Sequence, residues 1–390
     1  MATAPTSAGS MLELIRSGRA STRRELQALT GLSRSTVAQR LDLLLGAGWL
    51  RESGVDSSSG GRPPTRLEFS EDHAVVLAAS LDTTRARAAV LDLAGRPLAE
   101  HTGDLAVADG PEPVLDALAG RFGRLLERAG RDPGEVCGIG VAVPGPVEFG
   151  TGRVIRPPIM PGWDGYPVPE HLRKSFDVPV LVDNDANMMA LGEQVAGYRD
   201  CPAFVLVKVS TGIGAGVVTA GSVYRGIDGG AGDIGHIRLH DRADALCQCG
   251  SYGCLAAVAS GGALAKALTG LGVPTDSGSG VREHLMAGLP EAVRLAREAG
   301  QRVGEVLTTV VCLLNPGVLM VSGDLAETHF VTGVREVLYQ RALPRATRNL
   351  QVVTGRLGER AGLQGVGHLV VEHLYAPAQA DARLAEGAAS

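Results

Sequence analysis

The chain opens with three short amphipathic patterns. Met11, Leu12, Leu14 and Ile15 mark one face of a first helix, Leu26 and Leu29 a second, and Val37, Leu41, Leu44 and Leu45 a third. Ser10 with Glu13 and Thr22 with Glu25 have the spacing of capping boxes, in which a hydroxyl and a carboxylate satisfy free amides at a helix start. Thr30-Gly31-Leu32-Ser33 reads as a tight turn, with Gly31 free to take positive φ and Ser33 placed to cap the third helix, which Gly46 and Gly48 end. Trp49 to Glu52 and Thr65 to Phe69 read as two strands around the Ser-, Gly- and Pro-rich tip Ser57 to Pro64. Helix, glycine turn, helix and a two-stranded wing form the plan of a winged helix-turn-helix, which the pattern places in residues 1–70.

From His73 onward the pattern changes. Ala74 to Leu81 and Ala86 to Leu91 are apolar runs of strand length, and Leu93 to Pro97 is a turn. Val114 to Ala129 has helical spacing, while Val136 to Val143 and Val178 to Val182 read as buried strands. Strands alternating with helices predict an α/β body over residues 71–377. No repeat of 20–50 residues is evident. The alanine-rich end after Ala376 is expected to fray, with residues 378–390 a disordered tail.

Composition adds three points. At 45% hydrophobic and 20% charged, 390 residues are expected to fold into two or three domains. No apolar run reaches the roughly eighteen residues of a membrane span, and Met1 to Ser10 lacks the basic start and apolar core of a signal peptide. The expectation is a cytoplasmic protein with no membrane partner. Arginine outnumbers lysine 34 to 3, a bias that suggests a GC-rich bacterial genome rather than a function.

The net charge of −5 argues against a uniformly basic coat for nucleic acid. It is unevenly spread. Residues 1–70 hold nine arginines against six acids, or +3, which leaves 28 minus 36, or −8, on the remainder. The positive charge lies with the helix-turn-helix. There, Ser33, Arg34, Ser35, Thr36, Gln39 and Arg40 stand at the start of the third helix, where they can bond phosphates or base edges in a major groove. Arg62, before two prolines, suits a narrow minor groove. Double-stranded operator DNA is the expected partner, bound by a homodimer or tetramer on near-palindromic sites.

Six cysteines do not make a disulfide scaffold. Cys137, Cys201 and Cys312 stand alone in apolar contexts and read as core thiols. Cys247, Cys249 and Cys254 lie within eight residues, and His236 precedes them by eleven. Three thiolates and one imidazole make a closed tetrahedral set that suits one structural zinc per chain, with no position left for water. Gly250 and Gly253 supply turns for the wrapping loop.

An ordered series of segments carries a resemblance. It comprises Gly138-Ile139-Gly140-Val141-Ala142-Val143-Pro144-Gly145-Pro146, Pro157 to Gly165, Val182-Asp183-Asn184-Asp185-Ala186-Asn187, and Ser210-Thr211-Gly212-Ile213-Gly214-Ala215-Gly216. Gly232-Asp233-Ile234-Gly235-His236 and the run Cys247 to Leu255 complete it. In order and spacing, residues 74–375 resemble the ROK family of repressors, open reading frames and kinases, and the head in front resembles its repressor branch. The resemblance implies an actin-like, ribonuclease-H-like body of two lobes with a C-terminal helix returning to the first. It implies a sugar-facing set of Asn184, Asp185, Asp233 and His236, with Asp185 at the position of the kinases' catalytic base. His236, Cys247, Cys249 and Cys254 match the family's zinc ligands.

The departures from the kinase pattern fall at the reacting groups. The family's first phosphate loop, Asp-apolar-Gly-Gly/Ala-Thr, reads Ser80 to Arg85 here. Whether Ser80 or Asp82 takes the place of its aspartate, the glycines are missing and a side chain occupies the loop; with Ser80 in that place it is the Asp82 carboxylate, which repels phosphates. Val321-Ser322-Gly323-Asp324 loses one glycine of the adenosine-side pair. On the sugar side Ala256 replaces a glutamate, Asp233 a longer glutamate and Ile159 an asparagine. These residues imply a catalytically inactive body that senses a sugar or sugar phosphate, and a repressor of carbohydrate-related genes. An active sugar kinase with an accessory DNA-binding head, and a regulator without an effector that is controlled by a partner protein, are the alternatives.

Overall fold

The first three helices are α1 (Ala8–Arg16), α2 (Arg23–Thr30) and α3 (Arg34–Gly46). They pack Met11, Leu12, Leu26, Leu41 and Leu44 into one core. A computed structural model of the protein describes residues 6–55 and 65–387. Thr22 and Glu25 form the expected capping box, and Ser33 caps α3 by accepting from the Thr36 amide at 3.2 Å. Ser10 does not cap α1. Ser7 does, accepting from the Ser10 amide at 3.0 Å, so the helix begins one turn earlier than the box suggested. Leu29 also departs from expectation, because it is exposed. Strands β1 (Leu50–Val55) and β2 (Thr65–Phe69) pair antiparallel as the wing, whose tip, with Arg62, lies outside the described residues.

The body contains two five-stranded sheets of the same plan. In the first, β3 (Val75–Leu81), β4 (Arg85–Asp92) and β5 (Pro97–Asp104) form an antiparallel meander. After helix α4 (Pro111–Ala129), β6 (Val136–Val143) joins β3 in parallel. The short pair β7 (Val147–Glu148) and β8 (Arg153–Val154) and helix α5 (Val168–Arg173) lead to β9 (Val180–Asn184), which joins β6. The order is β5-β4-β3-β6-β9.

Helix α6 (Asp185–Gly197) starts at the end of β9 on the first lobe and leads into the second. Its meander is β10 (Ala203–Val209), β11 (Ile213–Thr219) and β12 (Ser222–Val223). Helices α7 (Leu255–Ala259), α8 (Gly261–Gly270), α9 (Gly278–Met286) and α10 (Pro290–Leu314) follow. Strand β13 (Val318–Ser322), helices α11 (Thr328–Arg341) and α12 (Pro344–Thr347), and strand β14 (Gln351–Thr354) complete it. The order β12-β11-β10-β13-β14 repeats that of the first sheet, strand for strand. The repeat is one of topology, and the residues carry no trace of it.

Helix α13 (Ala361–Leu374) returns to the first lobe and packs against α6 between the sheets. Glycines set that distance. A Cβ on Gly365 would stand 1.8 Å from the Met188 carbonyl oxygen, and one on Gly192 2.2 Å from that of Ala361. The far end of α13 enters the core of the head, where Val370, Val371, Leu374 and Tyr375 join Trp49, Leu50 and Leu67.

Up to residue 387 the tail corrects the expectation of disorder, and 388–390 lie outside the described residues. Residues Pro377–Gly387 form helix α14, whose Ala380 is fully buried against the head. Asp381 Oδ1 accepts from the Gly9 amide at 2.7 Å. The alanines that suggested fraying are good helix formers. Small side chains also let α14 lie close to α1, since a Cβ on Gly9 would meet the Pro377 carbonyl at 2.2 Å. Cys312 is likewise exposed on α10 rather than part of the core.

Candidate functional site: a reading helix and an interlobe cleft

On the head, burial of Val37, Leu41 and Leu44 turns the opposite face of α3 outward. Ser33, Arg34, Ser35 and Gln39 are exposed, and Thr36 and Arg40 are half-exposed. Ser33 Oγ lies 2.9 Å from both Ser35 Oγ and Thr36 Oγ1, so the three hydroxyls form one cluster at the helix start. Neither Arg34 nor Arg40 forms an ion pair among the described residues. Both are unpaired cations on the outward face of α3, the property a phosphate or guanine contact needs.

In the body, the cleft between the lobes has a larger chamber of about 650 Å³ and a smaller one of about 290 Å³. Asn184, Asp185, Asp233 and His236 all line the larger. Strand β9 runs two residues further than the apolar pattern suggests, so Asn184 becomes the helix cap. Its Oδ1 accepts from the amides of Ala186 at 2.9 Å and Asn187 at 3.3 Å, while its Nδ2 donates to the Gly145 carbonyl at 3.1 Å. Asp185 is thereby released from capping and is buried in the cleft. Ile159 and Ala256 line the same chamber, so the missing amide and carboxylate are lost at its wall.

Lys208 was not singled out from the sequence, and it occupies the centre of the cleft. From β10 its Nζ reaches Asp185 Oδ2 at 2.6 Å and Asp82 Oδ1 at 3.6 Å. These three residues alone line both chambers, and so divide them. Burial alone would push the Lys208 ammonium down, but the two carboxylates outweigh it and hold the group charged well above its ordinary value. In turn, Lys208 draws Asp82 below the usual carboxylate range. A second bridge, made by an arginine, crosses the lobes nearby. Arg225, just after β12, donates from Nε to buried Asp183 Oδ2 at 2.8 Å and stacks over the Phe149 ring at 3.8 Å.

The smaller chamber is lined by Ser80 and Asp82 and by Ser322, Gly323 and Asp324, the segments whose sequence departs from the kinase pattern. Ser80 is still on β3, opposite Arg87, and Asp82 and Thr83 begin the turn into β4. The Asp82 amide donates to the Arg85 carbonyl at 2.8 Å, and the Thr83 amide to the Asp82 carboxylate at 2.8 Å. Two amides of the cradle are thus consumed within the turn itself.

At the mouth of the larger chamber, the donor atoms of His236, Cys247, Cys249 and Cys254 lie within 4.8 Å of one another. Cys249 Sγ and Cys254 Sγ are 3.8 Å apart, and Cys247 Sγ is 3.7 Å from His236 Nδ1. A tetrahedral ion with metal–sulfur bonds of about 2.3 Å sets ligands about 3.7 Å apart, so the four residues fit one. Nδ1 faces the sulfurs, which leaves Nε2 toward Asp233, 3.8 Å away.

Two lobes of repeated topology around such a cleft, with a winged helix in front, define a helix-turn-helix head on an actin-like sugar kinase fold. The sequence profile of the ROK family matches residues 77–373, and the chain belongs to that family. It is 27% identical over 384 residues to the xylose repressor of Caldicellulosiruptor bescii, covering 93% of this chain and 95% of the relative. Among solved structures it resembles a ROK family transcriptional regulator described as a homologue of the Escherichia coli MLC protein. That match has a TM-score of 0.82 and 25% identity, over 97% of this chain and 98% of the other. The ROK hexokinase of Thermus thermophilus matches with a TM-score of 0.61 and 32% identity, covering 75% of this chain and 97% of its own. No helix among the described residues is long and apolar enough to cross a membrane.

Proposed function

We propose that this protein is a transcriptional repressor of carbohydrate-related genes. Its head binds operator DNA through Arg34, Ser35, Gln39 and Arg40, with Ser33, Thr36 and Arg62 as further contacts. Its body is catalytically silent and senses a sugar or sugar phosphate with Asn184, Asp185, Asp233 and His236. The observation that carries the reading is the junction. Helix α3 belongs to a head whose core is continuous with α13, and Gly362 of α13 lines the smaller chamber of the cleft.

Silence follows from Lys208 and the Asp82 turn. A general base must accept a proton from the substrate hydroxyl, and here the Asp185 carboxylate is already paired with an ammonium at 2.6 Å. The kinase alternative is tested by incubation with ATP and hexoses. Turnover that disappears in Asp185→Asn would establish an enzyme. Zinc held by His236, Cys247, Cys249 and Cys254 would fix the chamber mouth, and a homodimer would present two heads to two half-sites.

Switching requires a ligand that binds one lobe arrangement better than another. Lobe closure would act on α6 and α13 and, through Tyr375, on the angle of the head. The test is a mobility-shift titration with an operator fragment found by genome-wide occupancy mapping, run against a carbohydrate panel. A change in operator affinity with one compound is the expected result. No change with any compound favours the effector-independent alternative.

A further inference from the structure

The larger chamber has an unbalanced set of charges. Of its acids, Asp82 and Asp185 answer Lys208, and Asp233 stands beside His236. Two further cations line it, Arg156 from the first lobe and Lys266 from α8 in the second. Neither forms an ion pair or a side-chain hydrogen bond among the described residues.

Arg156 is held in an unusual way. Its φ is +43°, a left-handed conformation that glycine adopts freely and an arginine rarely does. The Asp164 carboxylate fixes it by accepting from the Arg156 amide at 2.7 Å, so the strain is built in rather than relaxed. Strained backbone of this kind clusters at ligand clamps and active sites. Lys266 is notable for another reason. The chain has three lysines against 34 arginines, and two of the three, Lys208 and Lys266, line this one chamber. Close by, the chamber presents Ile159 and Ala256, which offer no partner to a sugar hydroxyl.

We infer that the effector carries an anionic group, a phosphate or a carboxylate, and that Arg156 is the residue that selects it, with Lys266 closing on the anion from the opposite lobe. This rests on the reading of the cleft as an effector site. An anion bound between cations of two lobes also supplies what switching needs, because its affinity depends on how far the lobes are apart.

The test is calorimetry of the full-length, zinc-loaded protein with matched ligands. Glucose, glucose 6-phosphate and glucuronate form one set, N-acetylglucosamine and its 6-phosphate a second, and inorganic phosphate is the control. A phosphate or uronate is expected to bind about tenfold or more tighter than its neutral parent, as a charge-assisted pair requires. The phosphate and uronate arms distinguish the two kinds of anion. The preference is expected to vanish in Arg156→Gly, which suits the positive φ, and to shrink in Lys266→Gln. Equal affinity for neutral and anionic partners overturns the inference and leaves the effector site standing. So does a preference that survives in both variants, or inorganic phosphate alone binding as tightly as a sugar phosphate. Absence of binding by every compound overturns the effector site itself and the inference with it.

Discussion

Lys208 Nζ stands 2.6 Å from Asp185 Oδ2 and 3.6 Å from Asp82 Oδ1, so one ammonium from the second lobe answers two carboxylates of the first. The pair is nearly closed to water, with side-chain exposures of 14% for Lys208 and 9% for Asp185. Removing one member leaves the other buried without its partner. Lys208→Met is expected to lower stability by about 3–5 kcal/mol, the range for breaking a buried pair. Adding Asp185→Asn should restore part of the loss. Urea unfolding of the single and double variants measures both, and a single variant as stable as the parent would refute the pairing.

Arg34→Ala and Arg40→Ala are expected each to weaken operator binding about tenfold at fixed salt, in keeping with loss of one base or phosphate contact. Circular dichroism should be unaltered, because both side chains lie outside the head's core. Unchanged affinity in both variants would show that another surface reads the DNA.

Cys249→Ser is expected to abolish zinc binding, detected by native mass spectrometry as loss of one ion per chain, and to lower the melting temperature. Three ligands remain, but a structural site needs four to hold the ion closed. A variant with full zinc and an unaltered melting temperature would remove Cys249 from the ligand set.

His73 makes the junction of head and body sensitive to acid. Its Nδ1 lies 2.5 Å from the Ser70 carbonyl, and its Nε2 2.7 Å from the Tyr375 hydroxyl. In the neutral ring Nδ1 donates to Ser70 and Nε2 accepts from Tyr375. Burial holds the imidazole below its ordinary 6.5. The unfolded chain therefore takes up a proton that the folded one resists, and stability falls as pH drops below about 6.5. The melting temperature should fall more steeply from pH 7.5 to 5.5 in the wild type than in His73→Gln. Parallel slopes would exclude this group as the cause.

Much of the fold was legible because local signals agreed with the tertiary result. The Thr22–Glu25 box, the Ser33 cap and the run Val136 to Val143 needed no distant partner to be read, and Val136–Val143 is the observed strand. Asn184, Asp185, Asp233 and His236 stood out as ordered motifs, and the structure brings all four to one chamber, with His236 also in the cluster formed by Cys247, Cys249 and Cys254. Lys208 was not. It sits in the apolar strand Phe204 to Val209, and its partners Asp82 and Asp185 come from the other lobe. A lysine in a buried run of a chain with only two others was the available signal. Arg156 was hidden because positive φ at an arginine leaves no mark in sequence. Helix α14 was misjudged because its apolar partners, on α1, lie at the opposite end of the chain.

The boundary near residue 70, clear in charge and in pattern, is not where the structure can be cut. The head's core is walled by Val370, Val371, Leu374 and Ala380, and Trp49 meets Tyr375 edge-on at 5.2 Å with Arg383 lying over both rings. First and last segments of the chain close one hydrophobic unit together. An isolated head would expose that wall, so the two parts are not interchangeable modules. A chimaera built on this head is expected to stay folded only if α13 and α14 travel with residues 1–70, because no shorter cut leaves its core closed.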